Sequence, residues 1–478
     1  MNLLKNAIYN IIYQVFNVLI PIITVPYISR VLGKEGVGAY SYTNSYAQYF
    51  ITFGMLGISL YGSRQIAQNK KDKERLSNDF WNIYLLQLIC TLIATIIYLV
   101  VFVFINKNNV YLYLAQAINL LVAIADISWF FIGYEEMKKV VLRNLIAKIV
   151  GIIMIFTLVK DEGDLILYTL ILSGSMLIGQ MLMWISLKGR VYTKKLKIME
   201  TKKHFLPAFS LFMTQLAAQV YVLLDKTMLG LITNNAQVGM YENSQKTIKI
   251  ALTVATSIGV VMLPRMSSLY SQNKLDEFKK MMYKSFSFIC LLAFPTYLGI
   301  VSIADNFSPW FYGESFVGIE TLIKVGAIII IPISISNVLG MQVMISIGRE
   351  NRFTLSVLGG LAVNLIFNMF LIKEYGALGA TISSVFAEFT VTIIQFYYLK
   401  DIVDFRIVLK KCIKPLISSV LMCISVVIIS KMINSSIINT IFLAIIGSMI
   451  YAIIILLLKH EALLDIKNII EEKRKTLI

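Results

Sequence analysis

Cysteine, histidine and charge are all scarce in this 478-residue chain. Cys90, Cys290, Cys412 and Cys423 lie singly in apolar runs with no CxxC pair, and His204 and His460 are the only histidines. No ligand set therefore has workable spacing for a metal or redox centre. There is no GxxxxGK[ST] loop, which excludes nucleotide hydrolysis on a phosphate-cradling loop, and the glycines of "GVGAYS" (36–41) follow no strand, which excludes a dinucleotide fingerprint. Charged residues make up only 15% of the chain, against about 25% in a soluble domain. The segments between apolar runs are short, and the longest outer one, 305–317, carries only Asp305 and Glu314. A soluble catalytic domain has no room here, and no catalytic residue is expected.

What fills the chain instead is apolar: 58% hydrophobic residues and a mean hydropathy of +0.75. Apolar runs long enough to cross a bilayer, roughly 20 residues each, recur from 7–30 to 437–459. They predict an all-α integral membrane protein of about fourteen transmembrane helices, by a count of the runs. The net charge of +17 would suit nucleic acid, but its distribution argues otherwise. Numbering the loops from a cytoplasmic start puts 33 Lys and Arg on one side and 6 on the other. Basic loops stay on the cytoplasmic face, so both termini are expected there and no nucleic-acid partner is needed. The first run has no small-residue cleavage site and continues to Arg30, which reads as a retained helix and not a signal peptide.

Three landmarks recur in order. "VLGKEGVGAYSYTNS" (31–45) matches "MLGLITNNAQVGMYENS" (228–244), "GISLYGSRQIAQNKKDKE" (57–74) matches "GVVMLPRMSSLYSQNKLDE" (259–277), and "FFIGYEEMKK" (130–139) matches "ISIGRENRF" (345–353). The offsets from Gly33 to Gly230, Arg64 to Arg265 and Gly133 to Gly348 are 197, 201 and 215. Six crossings separate each pair, and an even number returns the repeat in the same orientation, as in transporters with parallel repeats. The expected plan is an N-terminal six-helix lobe (1–187), a basic cytoplasmic linker (188–204), a second six-helix lobe (205–400), and two extra helices with a basic tail (401–478). The lobes would be related by a pseudo-two-fold axis and enclose a central cavity.

Helix 8 carries a polar stripe. At about 100° per residue, Glu242, Gln245, Lys246, Lys249, Thr253 and Thr256 share one side. Lys249 lies about 15 Å along the helix from Gly239 at 1.5 Å per residue, near the middle of a ~30 Å hydrocarbon core. A cation facing lipid there costs at least about 2.5–3.5 kcal/mol, so the stripe should face protein or water. Glu242 and Lys246, four apart, can neutralise each other, which accounts for one cation of the two. The repeat puts Ser41, Asn44, Ser45, Gln48 and Thr52 at the matching positions of helix 2, polar but neutral. The reading is a water-filled cavity lined by helices 1, 2, 7 and 8, with a cationic wall that attracts an anion.

Other polar residues fall around this plan. Arg30, ending helix 1, and Asp225 with Lys226, near the end of helix 7, are placed towards the outer mouth. Arg64 and Arg265 are expected to end helices 2 and 8 at the cytoplasmic mouth, where lipid phosphate is their plainer partner. Guanidinium groups grip phosphate bidentately, so the layout suits a phosphorylated solute. Glu388 and Lys148 are candidates for an ion pair or for ion coupling. Glu320 with Lys324 is read as an i,i+4 pair, and Asn364 with Asn368 as interhelical hydrogen-bond partners.

The residues that carry a family resemblance are "PYISRVLGKEGVGAYSY" (26–42) with "YGSRQIAQNK" (61–70), "DISWFFIGYEEMKK" (126–139), "DKTMLG" (225–230) with "VGMYENSQK", and "NVLGMQVMISIGRE" (337–350) followed by "YGALGATISSVFAE" (375–388). Together, over about residues 1–400, they resemble the Wzx-type oligosaccharide flippases of the multidrug/oligosaccharidyl-lipid/polysaccharide exporter superfamily. The resemblance implies translocation of undecaprenyl-diphosphate-linked oligosaccharide across a bacterial cytoplasmic membrane, by alternating access, for capsule or O-antigen-like polymers. By motif position it adds Asp126 to Arg30, Lys226 and Glu388 as candidate site residues. It implies membrane lipids, a polysaccharide polymerase and assembly proteins as partners, and no cofactor beyond a coupling ion, H+ or Na+. Kin of this family also include lipid II flippases, the nearest rival reading, and drug/cation antiporters. An antiporter should offer acidic groups where this chain offers basic ones. A membrane polymerase would need catalytic outer loops.

Overall fold

Lipid offers no partner to an open N–H or C=O, so a chain this apolar closes its backbone hydrogen bonds within each segment. The computed structural model describes residues 2–105, 109–192, 198–256 and 259–463, and these form helices and short connections with no strand. Lys107, positions 193–197 of the expected linker and positions 464–478 of the basic tail lie outside the described residues.

The chain divides into two compact units, Met1–Gly239 and Met240–Ile478. The first holds α1 (Asn2–Val31), α2 (Gly33–Met55), α3 (Ile58–Asn69), α4 (Lys73–Leu99), α5 (Val110–Ala125), α6 (Ser128–Gly133), α7 (Met137–Leu158), α8 (Leu165–Leu187), α9 (Ile198–Ile232) and the first turn of α10 (Asn235–Thr256). The second holds the rest of α10, α11 (Gly259–Ser271), α12 (Leu275–Tyr312), α13 (Ile319–Gly326), α14 (Ile330–Ser336), a π-helical stretch Asn337–Met344, α15 (Glu350–Tyr375), α16 (Ala377–Tyr398), α17 (Phe405–Ser430) and α18 (Ile437–Leu457). Among the described residues, 10 stretches are long and apolar enough to cross a membrane. Adding α1, α2, α9 and α10 gives the fourteen crossings expected. The helix α9 begins at Ile198, so it takes in the last turns of the stretch read as linker.

Polar loops set the ends of these helices. Asp72 caps α4, accepting from the backbone N–H of Glu74 at 3.0 Å and Arg75 at 3.1 Å. Asp404 does the same for α17 through Arg406 N–H at 2.8 Å, and Ser436 for α18 through Asn439 N–H at 3.1 Å. Each cap satisfies donors that the first turn leaves open.

Helix breaks account for the main departures from the sequence reading. The second helix stops at Met55 because Leu56 (φ 46°) and Gly57 (φ 72°) turn left-handed. A Cβ on Gly57 would meet the Ala208 carbonyl and the Phe212 amide of α9, both at 2.7 Å. Arg64 therefore sits in the separate helix α3, not at the end of helix 2, while Arg265 lies in α11, whose junction with α10 at positions 257–258 falls outside the described residues. Between α5 and α6 the buried Gln87 of α4 serves the opened backbone. Its amide donates to the Ala123 and Asp126 carbonyls at 2.8 Å each and accepts from Trp129 Nε1 at 2.9 Å. Asp126 closes the same break, its carboxylate accepting from Ser128 N–H at 2.8 Å.

Glycine matters most where α2 meets the start of α10. A Cβ on Gly38 would lie 1.7 Å from the Asn235 carbonyl oxygen, and one on Gly239 would lie 2.1 Å from that of Lys34. Gly38 and Gly239 are matching residues of the repeat, as are Lys34 and Asn235, so each helix presents the same small residue to the same part of the other. Nearby, a Cβ on Gly230 would fall 2.1 Å from the Tyr42 ring.

One ion pair predicted along the sequence is replaced by other contacts. Lys324 binds Asp305 at 2.5 Å, while Glu320 accepts from Gly318 N–H at 3.1 Å and closes its own first turn. Asn368 donates to Asn364 Oδ1 at 3.1 Å within α15 and engages a further group. The thiols of Cys290 on α12 and Cys412 on α17 approach to 3.4 Å, a proximity that spacing could not reveal.

Candidate functional site

Of the four crossings that stand outside the 10 strong candidates, α2 and α10 have 23 and 22 residues. They are the helices on which the sequence placed its matching polar stripes. Burying backbone and side-chain polarity in lipid costs roughly 2–7 kcal/mol for an amide without a partner, so both helices need protein or water along one side.

In the second unit, α10 is fixed from behind. Tyr241 and Ser384 share a hydroxyl hydrogen bond at 3.2 Å, Tyr312 on α12 donates to the Asn243 carbonyl at 3.0 Å, and Thr247 also bonds Tyr312. Ile248 packs into a core with Ala293, Ala327 and Ile330. With that side buried, the turns carrying Glu242, Lys246, Lys249 and Thr253 face outward: Glu242 and Lys246 are part-buried, and Lys249 and Thr253 are exposed. Lys246 Nζ lies 3.3 Å from Glu242 Oε1. Gln245 departs from the stripe. It is 6% exposed and turned against Gly326, and its Nε2 has no hydrogen-bond partner among the described residues. The cause is its position about 100° from Lys246, on the edge that the α13 and α16 packing covers.

In the first unit, Ser41 is buried and Asn44, Gln48 and Thr52 are half-buried along the matching face of α2. The other faces of α2 are occupied. Gln116 of α5 donates to Thr43 Oγ1 and to the Tyr40 carbonyl, both at 3.3 Å, and the Tyr49 hydroxyl lies 3.4 Å from Thr227 Oγ1 on α9. One turn of α9 thus sets Asp225, which is buried, and Lys226, half-buried, beside the α2 packing. Arg30 is exposed in the last turn of α1, with Nη1 donating to the Pro26 carbonyl at 2.9 Å. Arg64 and Arg265 are exposed on α3 and α11, and Lys148 and Glu388 are half-buried on α7 and α16. Lys148, Asp225, Lys226, Lys249 and Glu388 each engage a further group.

The connections before α15 and after α16 carry a firmer pair that sequence reasoning passed over. Arg349 grips Asp401 bidentately at 3.0 and 2.6 Å, and the guanidinium holds the Asp401 carboxyl below its ordinary value. Complementary residues so far apart in sequence carry no local spacing signal.

A family description, polysaccharide biosynthesis protein, matches residues 3–270, more than half the chain. The chain belongs to the polysaccharide biosynthesis protein family. Across its length this family member is 24% identical over 411 residues to an Escherichia coli (strain K12) protein named "Putative O-antigen transporter", covering 84% of this chain and 97% of that one. It is 22% identical to the Staphylococcus aureus capsular polysaccharide biosynthesis protein CapF, covering 84% and 100%. Among solved structures it resembles the lipid II flippase MurJ in an inward closed conformation, with TM-score 0.76 at 13% identity over 94% of this chain and 98% of that one. An inward-facing multidrug resistance MATE transporter of the MOP superfamily gives TM-score 0.58 at 13% identity over 82% and 99%. These two likenesses establish the fold, fourteen helices in two lobes.

Proposed function

We propose that this family member is a transporter and not an enzyme: a flippase that carries undecaprenyl-diphosphate-linked oligosaccharide from the cytoplasmic to the outer leaflet of a bacterial cell membrane. The glycan would serve capsule or O-antigen-like synthesis. The observation that carries this reading is the polar stripe on α10, where Lys246, paired with Glu242, and the exposed Lys249 share one side of a membrane-crossing helix whose opposite side is packed. A diphosphate is a dianionic or more highly charged group with many acceptor oxygens, and ammonium groups away from bulk water attract it strongly. The names of the relatives, O-antigen transporter and capsular polysaccharide biosynthesis protein, support the polymer class.

In this mechanism the lipid tail stays in the bilayer while the head group moves along the polar faces of α2 and α10. The repeats 1–187 and 205–400 alternate between states open to either side, as in transporters built from repeats. Arg30 and Lys226 serve the outer mouth, Arg64 and Arg265 the cytoplasmic one, and Asp225 and Glu388 are the candidates for coupling to H+ or Na+. Both termini lie in the cytoplasm, following the excess of basic residues.

The test is the pool of diphosphate-linked oligosaccharide reachable from outside sealed cells. With the protein the pool is present; without it, the pool is lost outside and accumulates inside. In Lys246→Ala with Lys249→Ala the outside pool is lost although membrane insertion is normal. Full transport by that double variant would refute the cationic path.

A further inference from the structure

We propose that the neutral face of α2, centred on Asn44 and Gln48, is a glycan-recognition surface that reads the first sugars of the lipid-linked substrate, while the cationic face of α10 holds the diphosphate. This rests on the flippase reading and assigns a separate role to the first unit.

The two faces are equivalent by the repeat and opposite in chemistry. Setting Gly38 against Gly239 aligns Asn44 with Gln245, Ser45 with Lys246 and Gln48 with Lys249. The helix that could have carried a second pair of cations carries hydroxyls and carboxamides instead. Beyond Lys34 and Glu35 in its first turn, α2 has no charged residue. Asn44 and Gln48 are half-buried, and neither makes a side-chain hydrogen bond among the described residues. They are thus two carboxamides on adjacent turns, about 6 Å apart along the axis, on a membrane-spanning helix whose other sides are packed.

Each carboxamide offers two donors and an acceptor at fixed angles. That inventory suits a ligand dense in hydroxyl and acetamido groups and has no net attraction for an ion. A sugar ring also presents apolar C–H faces, and the half-buried Tyr40 lies one turn before Asn44 with its ring set against Tyr168 at 5.1 Å. An aromatic edge beside paired amides is a surface for a pyranose. The neutral network continues onto α5, where Asn119 donates to Gln116 Oε1 at 2.8 Å and Gln116 donates to Thr43. Asn119, Gln116 and Thr43 are all uncharged. The occupant that matches is therefore the uncharged part of the head group.

The experiment measures binding of two probes to the full-length protein in nanodiscs: undecaprenyl diphosphate without sugar, and undecaprenyl-diphosphate-linked N-acetylglucosamine. Two neutral hydrogen bonds should make the wild type prefer the glycosylated probe by about 10-fold. Asn44→Leu with Gln48→Leu should reduce that preference to about one, with affinity for the sugar-free probe unchanged, which also certifies the fold. Lys246→Ala with Lys249→Ala should weaken both probes alike. Preference retained in the Asn44/Gln48 variant would overturn the proposal, as would equal loss for both probes or a wild type that ignores the sugar. A wild type that binds neither probe would overturn the flippase reading as well.

Discussion

The crossing of α2 with the start of α10 makes a prediction whose size follows from the coordinates. In Gly38→Ala the new Cβ would lie 1.7 Å from the Asn235 carbonyl oxygen and close to Gly239 N. A carbon rests about 3.5–4 Å from its neighbours, so the backbones must part by on the order of 1–2 Å. Neither obstructing atom belongs to a side chain that could rotate away. Overpacking of this kind costs about 1–3 kcal/mol, and the rigid partners place Gly38→Ala at the upper end. The removal of a helical glycine returns about 0.5–1 kcal/mol, leaving a net loss of about 2 kcal/mol. Thermal melting of the purified protein in detergent should show Gly38→Ala several degrees below wild type. Gly239→Ala, 2.1 Å from the Lys34 carbonyl, should behave alike. One displacement relieves both clashes, so the double variant should cost clearly less than the two single losses added together. Gly174→Ala, with open space around its Cβ position, is the control and should melt no lower than wild type. A Gly38→Ala protein that melts like wild type, or strict additivity in the double variant, would refute the close crossing.

Three further predictions test other parts of the molecule. Gln87→Leu leaves the Asp126 carbonyl and the Trp129 N–H without their Gln87 partner at the α5–α6 break, while Ala123 keeps the Asp126 N–H; at about 1–3 kcal/mol for a buried group left open, its melting loss should exceed that of any single surface change. His204, hydrogen-bonded to the Tyr61 hydroxyl at 2.7 Å and held below its ordinary value by burial, takes a proton more readily unfolded than folded. Stability should therefore fall as pH drops through about 6.5, and His204→Gln should show a smaller fall between pH 7 and 5.5, His460 supplying the remainder for the same reason; an unchanged pH profile would refute it. Diamide should link Cys290 to Cys412, whose sulfurs lie 3.4 Å apart, and retarded α12–α17 fragments on a non-reducing gel, absent in Cys412→Ser, would register it.

Much of this protein was legible in order along the chain. Lipid allows only a few solutions to the backbone, so hydropathy and length were enough for an all-helical membrane protein of fourteen crossings. The 3.6-residue period was enough to put Glu242, Lys246, Lys249 and Thr253 on one side of α10, because a helix keeps its angular order whatever surrounds it. The motifs from Pro26 to Glu388 were enough for the family. What local pattern could not supply was any relation between residues far apart in sequence. Gln245 shares the stripe on a helical wheel, yet the neighbouring helices of its unit cover it. Lys324 had Glu320 one turn away and took Asp305 instead, while Asp126 proved to close a helix break together with Gln87, which no motif had marked. The left-handed turn at Leu56 and Gly57 cut Arg64 away from helix 2. The close approach of Gly38 to Gly239 gave the repeat a physical meaning that offsets alone lacked. Periodicity and solvent preference are properties of single segments and are written in the sequence. Partner choice and burial depend on which surfaces meet, and only the tertiary structure decided those.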